Sequence, residues 1–272
     1  MEVSTMSSGV IPISNLQLAL SVVLVVIAGG ISAALRLGLL KSLFWGTVRT
    51  FVQLTFIGYI LKFVFTVNNF WLIAAIVILM CFIAAQASTK RAANVSGNYL
   101  FPAFWSLLAS TVFVGLVVVR LVINPSPWYT ASILIPIFGM ILGNSMNGIA
   151  LALDRLYGEA HARAGEIEAL LAFGATPWEA IRECVKDAMR AGMTPTINSL
   201  MVVGLVSLPG MMTGQILGGA DPSEAVRYQI VVMLMIAAAT SIGCLSLVGF
   251  AYRKLFTPDW ALKEEILQSR RR

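Results

Sequence analysis

Apolar residues run along this chain in long blocks separated by short polar connections. Seven blocks, at 14–35, 43–65, 70–88, 101–123, 128–152, 194–217 and 227–250, each reach the roughly 20 residues that a helix needs to cross a bilayer. The pattern predicts an all-α integral membrane protein of about seven transmembrane helices. The connections 36–42, 66–69, 89–100, 124–127 and 218–226 are short, which forces neighbouring helices to run antiparallel and side by side. Only the connection after the fifth span is long: residues 154–193 form a polar segment of helical character inside one transmembrane domain that takes in the whole chain, 1–272.

Within that segment the sequence marks a break and a restart. Gly174 permits a helix to end, and Thr176-Pro177-Trp178-Glu179 reads as a new helix start, with Thr176 as N-cap, Pro177 in the first helical position and Glu179 closing a capping box. Two short helices joined at a glycine, hung from a membrane bundle, form a handle that a separate motor can grip. Glu166, Glu168, Gly174, Ala175, Thr176, Pro177, Trp178 and Glu179 are the candidate coupling residues. A solvated amphipathic face is the simpler alternative for the charges of this region.

Helix breakers also occur inside two spans. The fifth carries Pro136, Gly139, Gly143, Asn144, Asn147 and Gly148, and the sixth carries Pro209, Gly210, Gly214 and Gly218. Paired interrupted helices point to a transport pathway, because a freed backbone carbonyl in lipid must face protein or a watery cavity. Candidate pathway residues are Asn144, Met146 and Asn147 in the fifth span, and Pro209, Met211, Met212, Thr213 and Gln215 in the sixth. The glycines at spacings of four have a second reading, close packing of backbones. Arg49 and Gln53 add a polar pair one turn apart in the second span. A cation there belongs on the bundle side, either as a gate or substrate contact or as a structural arginine that bonds carbonyls or snorkels.

Charge orients the chain. With the N-terminus outside, fifteen of the nineteen basic residues fall on the inner side, among them Lys90, Arg91, Arg155, Arg163, Arg253, Lys254 and the terminal Arg270, Arg271 and Arg272. This predicts an N-out, C-in topology with the 154–193 segment in the cytoplasm. The formal net charge of +6 then describes anchoring to the inner leaflet and gives no nucleic-acid surface, since the basic residues are spread over short loops and a tail. Composition agrees: 58 % of residues are hydrophobic and 12 % charged, where soluble domains carry about a quarter charged. Met1 to Ser14 holds no basic residue, so the first span reads as a retained helix and not a signal peptide. Cys81, Cys184 and Cys244 have no disulfide or zinc spacing.

The chemistry narrows the function. The thirteen acidic residues lie outside the spans or at their ends, and His161 lies in the polar segment, so the spans offer no carboxylate or histidine to bind a driving ion, and a sodium site would have to be built from carbonyls and hydroxyls alone. No P-loop is present, and no nucleophile sits beside a base, so neither ATP hydrolysis nor other catalysis is expected of this polypeptide. No cofactor is expected in the chain. Energy for transport would come from a separate ATPase. Among the methionines, Met140, Met146, Met211 and Met212 lie in the two glycine-rich spans, where thioethers can contact a soft metal ion or simply fill gaps.

The run Glu-Ala-Leu-Leu-Ala-Phe-Gly-Ala-Thr-Pro-Trp-Glu-Ala at 168–180 resembles the coupling loop of ABC-transporter permeases, although Cys184, Lys186 and Asp187 stand where that loop ends in Ile-x-Leu-Pro. The runs 136–147, 204–215 and 220–229, with Arg49-Thr-Phe-Val-Gln53, resemble the family of FetB iron-export permeases and plant STAR/ALS aluminium-tolerance permeases over nearly the whole chain. The resemblance implies a permease of the bacterial inner membrane that pairs with a second copy of itself and with a FetA-like ABC ATPase, which would bind the ATP and Mg. It implies export of iron or another metal, with roles in metal homeostasis and oxidative-stress resistance. A nucleotide sugar or another anionic or chelated solute is the alternative cargo, and an ion-coupled secondary carrier is the alternative mechanism.

Overall fold

The computed structural model describes residues 13–92, 95 and 97–263, so Arg270, Arg271 and Arg272, used above for orientation, lie outside the described residues. All of its named elements are helical. They are α1 (Asn15–Leu20), α2 (Val22–Ala34), α3 (Leu40–Val67), α4 (Phe70–Arg91), α5 (Leu100–Val117) with a π-helical end (Val118–Ile123), α6 (Ala131–Ala162), α7 (Ala164–Ala172), α8 (Pro177–Val202), α9 (Gly210–Leu217) and α10 (Pro222–Lys254).

Among the described residues, six helical stretches are long and apolar enough to cross a membrane: 15–34, α3, α4, 100–123, α6 and α10. The sixth predicted span, 194–217, is not one helix. The chain leaves helical geometry at Val203 and resumes at Gly210, so that block is divided between the end of α8 and the short α9. The reverse holds for the fifth span, which was expected to be interrupted. Helix α6 runs unbroken through Pro136, because the proline stands in its second turn, where only the Ser132 carbonyl loses its donor. At 32 residues α6 is about 48 Å long against a hydrocarbon core of about 30 Å, so it carries the chain well beyond the bilayer. The expected boundary between the polar segment and the sixth span also disappears, since α8 passes through Pro195 as one rod.

Turn chemistry fixes the antiparallel order. Asn68 adopts a left-handed conformation at the end of α3, and its side chain accepts a 2.9 Å hydrogen bond from Ala131 N, pinning the start of α6 to the α3–α4 turn. Asn69 caps α4 and Asp221 caps α10, each through its side-chain oxygen. The ends bearing Lys90, Arg91, Arg155, Arg163, Arg253 and Lys254 come together and are called the basic end; the opposite, far end carries Lys62, Arg120 and Arg227. Arg120 lies 5.5 Å from the Trp128 ring centre, a cation–π pairing of the kind found at membrane interfaces.

Helices α6, α8 and α10 form the centre, with α4 and α5 packed beside α6 and α10. The centre is tight because small residues meet there. A Cβ on Gly148 would fall 2.8 Å from Gly192 O and 2.6 Å from Thr240 Cγ2. Gly143, Gly210 and Gly214, which the spacing offered as packing positions, have no neighbour from elsewhere within 4 Å of such a Cβ. Helices α2 and α3 pair with each other and stand away from the bundle as an arm, held to it near the Asn68 turn.

Candidate functional site: a membrane cavity and a polar elbow

A cavity of about 440 Å³ opens where α8 breaks. Asn144, Asn147 and Met140 of α6, Thr196 and Ser199 of α8, Ser207 and Pro209 of the break, Met211 of α9, and Gln229 and Met233 of α10 line it. Its lining holds amides, hydroxyls and thioethers and no charged side chain. Gln229 is only 5 % exposed, and its Oε1 has no hydrogen-bond partner. An unpaired buried carbonyl costs about 1–3 kcal/mol. A guanidinium guards one rim: Arg91, at the end of α4, donates to Asn147 Oδ1.

The break is built by its own residues. Gly204 takes a left-handed φ of 81°, its N–H bonds Ser207 O at 2.9 Å, and Pro209 then sets the first turn of α9. Leu205 and Val206 project from this turn, 88 % and 83 % exposed. A second cavity of about 250 Å³ continues between α9, α10 and the start of α6, lined by Pro136, Met140, Met211 and Gln215 among others. Gln215 Oε1 is likewise buried without a partner.

The sequence-derived pathway residues divide accordingly. Asn144, Asn147, Pro209, Met211 and Gln215 come together at the two cavities, and the Thr213 hydroxyl, inside α9, donates back to Pro209 O. Met146 and Met212 are half-buried and line neither cavity, so of the four methionine candidates Met140 and Met211 alone do. Arg49 and Gln53 are not brought to the cavity: both are exposed on the arm. Among the described residues no group of three or more His, Cys, Asp or Glu side chains could hold a metal ion. Ser199, Thr196, Ser207, Gln229 and Arg91 were missed; only their being polar within or beside apolar blocks marked them.

At the basic end the elbow forms as the capping pattern predicts. Helix α7 ends in a Schellman arrangement, with Gly174 N bonded to Leu171 O and Ala175 N to Leu170 O, and Gly174 sits at φ 90°, open to a residue without Cβ. Thr176 and Glu179 close the capping box: Glu179 N donates to Thr176 Oγ1, and Thr176 N donates to Glu179 Oε2 at 2.8 Å. These bonds to Thr176 hold the Glu179 carboxyl below the usual glutamate range. Glu166 and Glu168 are exposed, and so is Phe173 at 91 %, an apolar tip beside Gly174 that the sequence reading passed over.

The elbow is tied to the bundle by charge and by rings. Arg163, between α6 and α7, bonds Glu159 at 3.0 Å and Asp187 of α8 at 2.9 Å. Trp178 packs on Tyr252 of α10, with ring centres 5.3 Å apart, and Tyr99 bonds Tyr157 through their hydroxyls. Cys184 is buried beneath this network, and burial pushes its thiol up to about 11, far from reactive thiolate chemistry.

Comparison with known proteins agrees with this architecture. The family model described as uncharacterised protein family UPF0014 matches residues 15–256. The UPF0014 membrane protein YjkA of Bacillus subtilis is 39 % identical over 92 % of this chain and 98 % of its own length. The probable iron export permease protein FetB of Escherichia coli is 37 % identical over 90 % of this chain and 93 % of its own. The protein ALUMINUM SENSITIVE 3 of Arabidopsis thaliana is 34 % identical over 92 % and 90 %. No solved structure matches. The chain is a multi-pass membrane protein and belongs to the UPF0014 family.

Proposed function

We propose that this chain is the membrane subunit of an ATP-driven exporter: a non-catalytic permease that works with a second copy of itself and with a separate ABC ATPase. One observation carries the reading. Helix α8 is a single rod from the capped start at Thr176, beside the exposed Phe173 tip, to the break at Val203 on the cavity. A push at the elbow is therefore a displacement at the cavity wall, which is what alternating access requires. The basic end lies in the cytoplasm of the inner membrane in this reading, because that is where lysine and arginine collect.

The relative from Escherichia coli is named for iron export, which favours a metal cargo and a part in metal homeostasis and oxidative-stress resistance. Met140, Met211 and Met233 with amide oxygens would offer such an ion weak, exchangeable contacts, suited to release more than to storage. A second reading rests on the cavity itself: no carboxylate lines it, and the Arg91 guanidinium stands at its rim. These features suit a chelated or anionic solute, a nucleotide sugar among them.

The test is reconstitution of the chain with its ATPase in liposomes. ATP-dependent movement of a metal, or of a chelated or anionic solute, supports the pump. Movement on an ion gradient with no ATPase present would establish a secondary carrier instead.

A further inference from the structure

The arm and the cavity face leave polar groups uncovered at matching depth. Along α3, Arg49, Gln53, Phe56, Ile60 and Val64 recur every three or four residues and form one stripe. Toward the far end this stripe is covered, with Val64 buried and Ile60 packed on the core. Toward the basic end it is bare, and Arg49 and Gln53 are exposed. Helix α2 does not cover it, because the α2–α3 groove is lined by the opposite side of α3, Leu43, Thr47, Val48 and Phe51.

The Asn68–Ala131 hydrogen bond gives α3 and α6 a common origin. At about 1.5 Å per residue, Gln53 and Arg49 lie about 22 and 28 Å along α3 from it, and Asn144 and Asn147 about 20 and 24 Å along α6. Asn144 and Asn147 are exposed at the cavity mouth, and residues 204–208 expose non-helical backbone beside it. A bilayer does not tolerate this surface. Arg49, about 28 Å from the far-end turn, lies near the basic-end edge of a hydrocarbon core of about 30 Å and Gln53 lies deeper, and irregular backbone survives at membrane depth only against protein or a watery cavity. The groups are also complementary: Asn147 Oδ1 already accepts from Arg91, and the Asn144 amide and the Thr196, Ser199 and Ser207 hydroxyls of the cavity are left to meet the donors of Gln53 and Arg49.

We infer that a second copy of the chain supplies the cover: the α2–α3 arm of each copy lies across the membrane cavity of the other. Arg49 and Gln53 of one copy then meet the Asn144–Asn147 face of its partner, and the cavity gains its missing wall. The contact is isologous and closes as a two-fold pair. A chain folding its arm onto its own α6 would use the Arg49–Gln53 stripe there and leave residues 204–208 bare, whereas a second copy brings both an arm and a face. The inference rests on the pairing proposed above and goes beyond it by fixing the surface.

Two differently tagged chains, one carrying Gln53→Cys and the other Asn144→Cys, are co-expressed and oxidised in membranes with copper phenanthroline. Phe56→Cys with Met140→Cys is the second pair, and Phe113→Cys on α5 is the control. The native Cys81, Cys184 and Cys244 are buried, so they contribute no background. The expected result is a covalent dimer bearing both tags for both pairs, at least ten-fold above the control. A link that forms only when both cysteines are on one chain, or no link in folded, inserted protein, overturns the inference. Capture of the ATPase is scored separately on the same membranes. Capture without the cross-link sinks the surface and spares the pump, and the cross-link without capture does the reverse.

Discussion

Gly148 of α6 and Gly192 of α8 meet backbone to backbone, each so close to the other's carbonyl that an added Cβ would fall 2.8 Å away. This crossing joins the rod that carries the elbow to the helix that lines the cavity. Cys244 and Thr240 of α10 close over the same point, so three helices share one contact.

Gly192→Ala should therefore destabilise the protein by about 1–3 kcal/mol, the usual cost of overpacking. Gly158→Ala, also in α6 but with nothing within 4 Å of the new Cβ, should be neutral or stabilising by up to about 1 kcal/mol. Thermal unfolding in detergent of the two variants beside the parent protein separates them; equal melting points would remove the crossing as a special contact.

Gln229→Leu removes a buried carbonyl that has no partner, so stability should hold or rise. Transport in liposomes should fall at least ten-fold, because the cavity wall loses a polar side chain. A variant that transports normally would take Gln229 out of the pathway.

Phe173→Ala should leave the melting temperature unchanged, since the ring is almost wholly exposed. Its effect should appear in ATPase capture, weakened about ten-fold, as truncation of an interface hot spot costs more than about 1 kcal/mol. Unchanged capture would place the docking surface elsewhere.

Gly174→Pro cannot adopt the φ of 90° that the elbow requires, because proline is held near −65°. The chain should insert in the membrane and lose its ATPase. Gly174→Asn, which tolerates left-handed geometry, should retain most of it. Equal capture by both variants would end the role of this bend.

The capping box should respond to acid in one direction only. Glu179 is held below its ordinary range when folded, so its contribution is fully present above about pH 4.3 and is lost as pH falls through the lower folded value. Amide exchange at residues 178–182, taken relative to Glu179→Gln, should be flat from pH 6 to 8 and converge on the variant only in acid. A change near neutrality would contradict the assignment.

What the sequence alone determined is whatever rests on local chemistry: apolar blocks long enough to span a bilayer, the capping box at Thr176 and Glu179, and the break before Pro209 were all readable, because each depends on residues within a few positions of one another. Tertiary structure decided the rest. Helix α6 survives Pro136 because of where the proline falls in its turns, α8 joins the elbow to the cavity as one rod, and the polar atom left unpaired in that cavity belongs to Gln229, on a helix the breaker pattern did not mark. Arg49 shows the limit most plainly. Its cost in lipid is written in its side chain, but what covers it depends on surfaces far along the chain, or in another copy, that only packing brings near.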